Sequence, residues 1–316
     1  MIDSRPMIEL RNLHRCFGPT RAVNDVSFAV GRGQVFGYIG PNGAGKTTSM
    51  RILATLDQPT AGDAFVDGFS VVNDPDRVRF RLGFMPDYFG TYSNVNVREY
   101  LDFFARAYGL RGAERTRAMS YVMSFTKLDT LADKPIDGLS KGMKQRLCLG
   151  RAMIHDPAVM ILDEPAAGLD PRARIQLREM IRQLAADGKA ILISSHILTE
   201  LAEMCDQVGI IEQGRLLAVG DVAEIRRGQQ ALHATSMQVR VLGDSAALGQ
   251  WLTARDDVQE ISIDGERIVF EHLGNQEAEA QLLREMIEAR FRVIAYGSQT
   301  RSLEEVFMHV TRGHVQ

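Results

Sequence analysis

Residues 40–47 read Gly-Pro-Asn-Gly-Ala-Gly-Lys-Thr, the G-x-x-x-x-G-K-[ST] spacing in which small residues let consecutive backbone N–H groups wrap a polyphosphate. Gly40, Pro41, Asn42, Gly43, Ala44, Gly45, Lys46, Thr47 and Thr48 are candidate phosphate-binding residues. Lys46 offers a charge to the outer phosphates, Thr47 a hydroxyl to Mg²⁺, and the helix beginning at Lys46 adds the partial positive charge of its N-terminus. Farther on, Val159-Met-Ile-Leu-Asp163-Glu164 is an apolar run ending in adjacent carboxylates, at the strand end where open α/β sheets place ligands. Asp163 suits a magnesium ion held through its water shell. Glu164 points the other way, because strand side chains alternate, and can take a proton from a water attacking a terminal phosphate. Alone, two acids at a strand end are ordinary solvated residues; beside a phosphate loop they become a site.

Such groups need strands and helices to aim them. Strand-like runs span Ile8 to Leu13, Asp25 to Val30 and Gln34 to Ile39, the last stopping at Gly40-Pro41. Continuous apolar runs at Ala158 to Leu162 and Ala190 to Ser194 suit strands buried on both faces, and helical stretches separate them, so the pattern predicts an α/β fold with a largely parallel sheet. From Val97 to Tyr108, apolar residues at 97, 100, 101, 104 and 108 make one greasy helical face, opening a helical insertion that ends near Asp137. A helix is predicted from Met143 to Ile154, and Asp170-Pro171 reads as the N-cap and first residue of another that Gly188 closes. After Arg227 the polar stretch 228–236 reads as a linker. Beyond it the order strand, helix, strand, Asp264-Gly265 hairpin, strand, helix, strand predicts a small α+β unit with a ferredoxin-like sheet, followed by a helix with a capping box at Ser302 and Glu305.

The 316 residues allow two domains at about 150 residues each, and 45% hydrophobic with 24% charged residues is a globular composition. Lys and Arg total 37 against 40 Asp and Glu, a net charge of −3; no overall positive field draws the chain onto nucleic acid or anionic lipid, and either would need a local patch. Cys16, Cys148 and Cys205 form no C-x-x-C pair, which argues against a disulfide framework or a zinc site and fits a reducing cytoplasm. No signal-like start and no window of about 18 apolar residues occurs, so the chain reads as neither secreted nor membrane-spanning.

Leu139-Ser140-Lys141-Gly142-Met143-Lys144-Gln145 completes a set of motifs. With it the chain resembles, over residues 7–225, an ATP-binding cassette ATPase, the nucleotide-binding subunit of an ABC transporter. The resemblance implies a P-loop nucleotide-binding domain over 1–227 with a helical subdomain at about 88–155; the linker at 228–236 and the accessory α+β domain over 237–316 are read from the residue pattern beyond it. The resemblance also implies ATP and Mg²⁺ as ligands, with Lys46, Glu164 and His196 catalytic and Thr47, Asp163 and Asp87 around the metal. Ser140 and Gly142 are then the signature residues that contact the γ-phosphate held by an opposite subunit, Lys141 and Met143 being departures from the commonest form. Ala167-Gly168-Leu169-Asp170 resembles the D-loop, and Phe17 the aromatic that stacks on adenine. Asp87 stands in the Q-loop where Gln or Glu is usual. The implied protein is a homodimer, peripheral on the cytoplasmic face of the cell membrane, driving a separate integral-membrane permease of the ABC-2 exporter type. The alternative is a soluble ABC ATPase that acts on a macromolecule without transport.

Overall fold

Strands without a single exposed residue form the centre of the chain. In this computed structural model, which describes residues 5–88, 90, 94–197, 201, 203–221 and 235–298, two compact units cover 5–221 and 235–298. The first unit begins with β1 (Ile8–Phe17), β2 (Thr20–Val30) and β3 (Val35–Ile39), then α1 (Lys46–Leu53), β4 (Ala61–Val66), β5 (Phe69–Ser70), α2 (Pro75–Arg81) and β6 (Leu82–Met85). The helical insertion holds α3 (Val97–Ala107), α4 (Gly112–Phe125) and α5 (Lys141–Met153). It is followed by β7 (Val159–Leu162), α6 (Pro171–Ala186), β8 (Ala190–Ser195), β9 (Gln207–Glu212) and β10 (Arg215–Asp221).

One sheet runs β10-β9-β3-β8-β7-β6, parallel throughout except for the β9–β10 hairpin at its edge. Every residue of β3, β7 and β8 is buried, the outcome their unbroken apolar sequences dictate when both faces are covered. Register puts Ile39 beside Ser195 and Leu162 beside Ile193, so the chain leaves all three strands at one edge with Gly40, Asp163 and His196 in sequence just beyond.

A second sheet, β2-β1-β4-β5, is antiparallel, beside the largely parallel sheet that the sequence pattern predicts. Strands β1 and β2 also run longer than predicted, to Phe17 and from Thr20. The cause is irregular pairing: register shifts between Leu10 and Cys16 break the alternation that marks a strand, and Gly18, at φ 57°, makes the tight turn that lets Phe17 pair with Thr20. Phe28 of this sheet stacks on Phe36 of the other, ring centroids 4.6 Å apart and 5° from parallel, which fuses the two layers into one core.

In the insertion, Asn96 caps α3 reciprocally with Glu99: the Asn96 side chain accepts from Glu99 N at 2.9 Å and Glu99 Oε2 accepts from Asn96 N at 3.0 Å. Val97, Tyr100 and Leu101 are buried as predicted, while Phe104 is half-buried and Ala105 takes a core place. Helix α5 starts two residues before the predicted Met143, because Ser140 caps it. Asp170 caps α6, accepting from Ala173 N at 2.9 Å, with Pro171 as first residue.

The second unit contains β11 (Thr235–Val241), α7 (Ser245–Thr253), β12 (Val258–Asp264), β13 (Arg267–His272), α8 (Gln276–Glu288) and β14 (Val293–Ser298). Its sheet is antiparallel with order β12-β13-β11-β14, the interleaved order of two β-α-β halves. Thr235 and Ser236, placed in the linker by sequence, belong to β11, pairing with His272 and Glu271; the rest of that stretch and the predicted helix at Ser302 lie outside the described residues. Met237, Val239, Ile268 and Phe270 alternate into the core, but Glu271, on the other parity of β13, is also buried. Trp251 packs edge-on to Phe291 at 5.9 Å, and the Arg255 guanidinium lies 5.1 Å from the Trp251 ring centroid while pairing with Asp257 and Glu285.

Phe36 is fully buried between the layers, so Phe36→Ala should cost about 3–5 kcal/mol through lost burial and the cavity left behind, read as an earlier urea transition of the first unit by circular dichroism.

Candidate functional site

The phosphate loop is shaped by contacts that exclude side chains. A Cβ on Gly40 would lie 2.2 Å from the Ile211 carbonyl oxygen, and one on Gly45, at φ 105°, 2.3 Å from that of Ala22. The loop is held by Ala44 N donating to Pro41 O at 3.1 Å and Gly214 N to Ala44 O at 2.9 Å. Helix α1 then starts with no side-chain cap and no acid in its first turn, leaving backbone N–H groups facing the loop. Lys46 is buried. Its ammonium donates to Gly40 O at 2.6 Å and Pro41 O at 3.2 Å and lies 3.6 Å from Glu164 Oε1. Burial pulls its pKa below the usual lysine value, with Glu164 and Asp163 acting against that. Thr47 is exposed and Thr48 half-buried at the head of α1.

Asp163, 1% exposed, is fixed by its N–H donating to Met85 O at 2.8 Å and by Ser194 Oγ donating to its Oδ1 at 2.6 Å. The same Ser194 oxygen accepts from Glu164 N at 2.8 Å. Glu164 takes a left-handed backbone, φ 48°, uncommon for a residue with a side chain. That bend turns its carboxylate away from Asp163, to 2.9 Å between Oε2 and His196 Nδ1. Burial raises the Asp163 pKa above the carboxylate range; the Ser194 and Thr47 hydroxyls draw it down, and the charges of Glu164 and Asp87 push it up. Asp87 itself is exposed, two residues past β6.

Phe17 ends β1 with 47% of its surface exposed, and Arg15, paired with Asp57 at 2.8 Å, places its guanidinium 4.4 Å from the ring centroid. Ser140 Oγ accepts from Met143 N at 3.3 Å. Beside it, a Cβ on Gly142 would meet Ala173 Cβ at 3.1 Å, and the Lys141 side chain lies across Gly168. The structure therefore gathers the phosphate loop, Asp163, Glu164, His196 and Asp87, whereas Gly142 packs on Leu169 and Ala173 at the start of α6 and Ser140 caps the helix that carries it. No hydrogen bond or ion pair among the described residues joins those two to the loop. Sequence reasoning missed Ser194, whose signal was a hydroxyl residue at the end of an otherwise apolar run.

A glycine loop between strand and helix, facing an Asp-Glu pair and a histidine at one sheet edge, is the architecture of a phosphate-loop nucleoside triphosphatase. The sequence family described as ABC transporter matches residues 23–167. The Nod factor export ATP-binding protein I of Burkholderia lata is 35% identical over 98% of this chain and 98% of its own length. That of Ralstonia nicotianae is 38% identical over 71% and 70%, and the linearmycin resistance ATP-binding protein LnrL of Bacillus subtilis 28% over 96% and 98%. A solved ATP-binding subunit of an ABC transporter superposes with TM-score 0.65 at 32% identity, covering 71% of this chain and 93% of that one. The chain belongs to the ABC transporter family as an ATP-binding subunit, an ATPase whose hydrolysis is coupled to transport.

Because the folded state holds the Asp163 carboxyl above its unfolded pKa, its ionisation weakens folding, and the penalty is complete once the pH exceeds the raised value. Asp163→Asn should therefore melt higher than the parent at neutral pH and converge with it at about pH 3, below both pKa values, while losing ATPase activity. Calorimetry across pH checks the sign.

Proposed function

We propose that this ATPase powers an export system of the ABC-2 type, working as a homodimer on the cytoplasmic face of the membrane with a separate integral-membrane permease. The names of its relatives, export and resistance subunits, support the direction. The observation that carries the chemistry is the Glu164 carboxylate, set between His196 at 2.9 Å and Lys46 at 3.6 Å. ATP phosphates would draw Lys46 away from its carbonyl partners, leaving Glu164 to take the proton of an attacking water, with His196 orienting that carboxylate. Thr47 and Asp163 supply hard oxygen donors side by side, with the exposed carboxylate of Asp87 near them, a set that fits Mg²⁺. When bound, the ion neutralises phosphate charge, and it would relieve the burial penalty at Asp163. Phe17 offers a ring to adenine.

Ser140 and Gly142 lie at the capped start of α5, where free N–H groups suit an anion. Since they pack away from the chain's own phosphate loop, a second copy is the natural owner of the phosphate they meet. Permease docking is supported by an apolar groove of about 580 Å³ between α3 and the core, lined by Leu56, Phe80, Phe84, Phe104 and Tyr108. The second unit carries no metal-ligand cluster among its described residues and is assigned a regulatory or architectural part.

Glu164→Gln should keep ATP affinity but lower turnover by about 10²–10⁴-fold, with an ATP-dependent dimer accumulating on a sizing column; near-parental turnover would remove Glu164 as the base. Lys46→Ala should weaken ATP binding itself, measured by calorimetry, because a charge against the phosphates is lost. Co-purification of the tagged chain with the product of a neighbouring reading frame having about six apolar spans tests the transport assignment.

A further inference from the structure

Past Phe80 the apolar groove gives way to a second cleft of about 890 Å³ with different chemistry. Its walls are α4 and the turns that feed the N-terminal ends of β3, β6, β7 and β8. It thus lies at the opposite end of the parallel strands from the phosphate loop, and nothing in the hydrolytic site uses it. The charged side chains lining it are Arg32, Arg81, Arg117, Lys189, Asp156 and Asp187.

Pairing these charges leaves a remainder. Lys189 donates to Asp156 at 2.5 Å and to Pro157 O at 2.7 Å, whereas Asp187 accepts only from the neutral Gln183 amide at 3.0 Å and keeps its charge in the cleft. Arg81 sits 3.5 Å from Asp67. His155 adds no charge near neutrality, since burial lowers its pKa to about 4. Among the described residues Arg32 has only a 3.7 Å contact to the Met7 sulfur, and Arg117 makes no hydrogen bond or ion pair with any of them. Two guanidiniums, one on the β2–β3 turn and one on α4, therefore line the cleft without an ion pair to any described residue; set against the single charge of Asp187 they leave the cleft net positive, in a chain whose overall charge is −3.

The ridge between groove and cleft is aromatic. Phe80 is 63% exposed and lines both; its ring meets Tyr108 edge-on at 6.5 Å, and Tyr108 stacks on His155 at 3.7 Å. A helix lying in the groove covers one side of Phe80. A continuation of the same segment past Phe80 reaches the other.

We infer that the cleft receives an acidic stretch flanking the apolar helix that fills the groove, so that the membrane subunit is recognised by apolar contacts on one side of Phe80 and by carboxylates at Arg32 and Arg117 on the other. This rests on the groove being the permease site. Guanidinium pairs carboxylates in a bidentate fork, and partly enclosed pairs of this kind select partners by charge and speed their encounter. Asp156 and Asp187 favour a peptide, whose carboxylates are spaced along a chain, over a compact multivalent phosphate that would bring all its charge near both acids.

The test uses the full chain and two fluorescent helical peptides of about 18 residues with the same Leu/Phe face, one ending in a run of Glu and the other in a run of Lys. Anisotropy should show the acidic peptide bound at least about tenfold more tightly at low salt, the gap closing as salt rises. Arg32→Glu with Arg117→Glu should erase or reverse that preference while basal ATPase activity is unchanged, and Phe80→Ala should weaken both peptides alike. Equal affinity for the two peptides, a preference that survives the charge reversal, or displacement of the acidic peptide by millimolar inorganic phosphate would overturn the inference and leave the groove standing. Binding of neither peptide would overturn the groove and the inference together.

Discussion

One hydroxyl ties the candidate site together. Ser194 Oγ donates to the buried Asp163 and accepts from the backbone of Glu164, so a single atom of β8 sets both acids at the end of β7. A carboxylate withdrawn from water costs several kcal/mol unless its oxygens are satisfied. Here the satisfying groups sit on strands that cannot shift without exposing apolar residues. Remove that hydroxyl and Asp163 loses its nearest donor, while the unusual backbone of Glu164 loses the acceptor that steadies it.

The fold serves this constraint. Full burial of β3, β7 and β8 makes the parallel sheet a rigid comb whose ends deliver the glycine loop, the acids and the histidine to one edge. The antiparallel sheet, fused to it through the Phe28–Phe36 stack, brings the Ala22 carbonyl against Gly45 and so determines how tightly the loop can curl. The helical insertion reaches back through Lys141 and Gly142 to the turn that follows Glu164. Movement of the insertion is in this way mechanically adjacent to Glu164.

Much of this was legible in the sequence where function and local structure coincide. The phosphate loop, the Asp163-Glu164 pair, His196 after its apolar strand and the Asp170-Pro171 helix start all announce themselves within a few residues. What stayed hidden was non-local. Bulges in β1 erased its alternation, and no pattern within β1 or β2 could reveal that they pair in a separate antiparallel sheet. Ser194 looked like a strand ending until the register set it beside Asp163. The cleft at Arg32 and Arg117 is assembled from helices and turns far apart in the chain, each ordinary by itself. Local signals also misplaced the start of β11, because Thr235 and Ser236 are polar residues that pair through backbone alone.

The sole tryptophan of the chain, Trp251, packs within the small C-terminal unit against Phe291 and Arg255. Indole emission therefore belongs to one unit only, and the catalytic unit is dark at those wavelengths apart from its tyrosines. Ultraviolet excitation gives an intrinsic optical label, in the unmodified protein, for following the C-terminal unit while ATP turns over in the other.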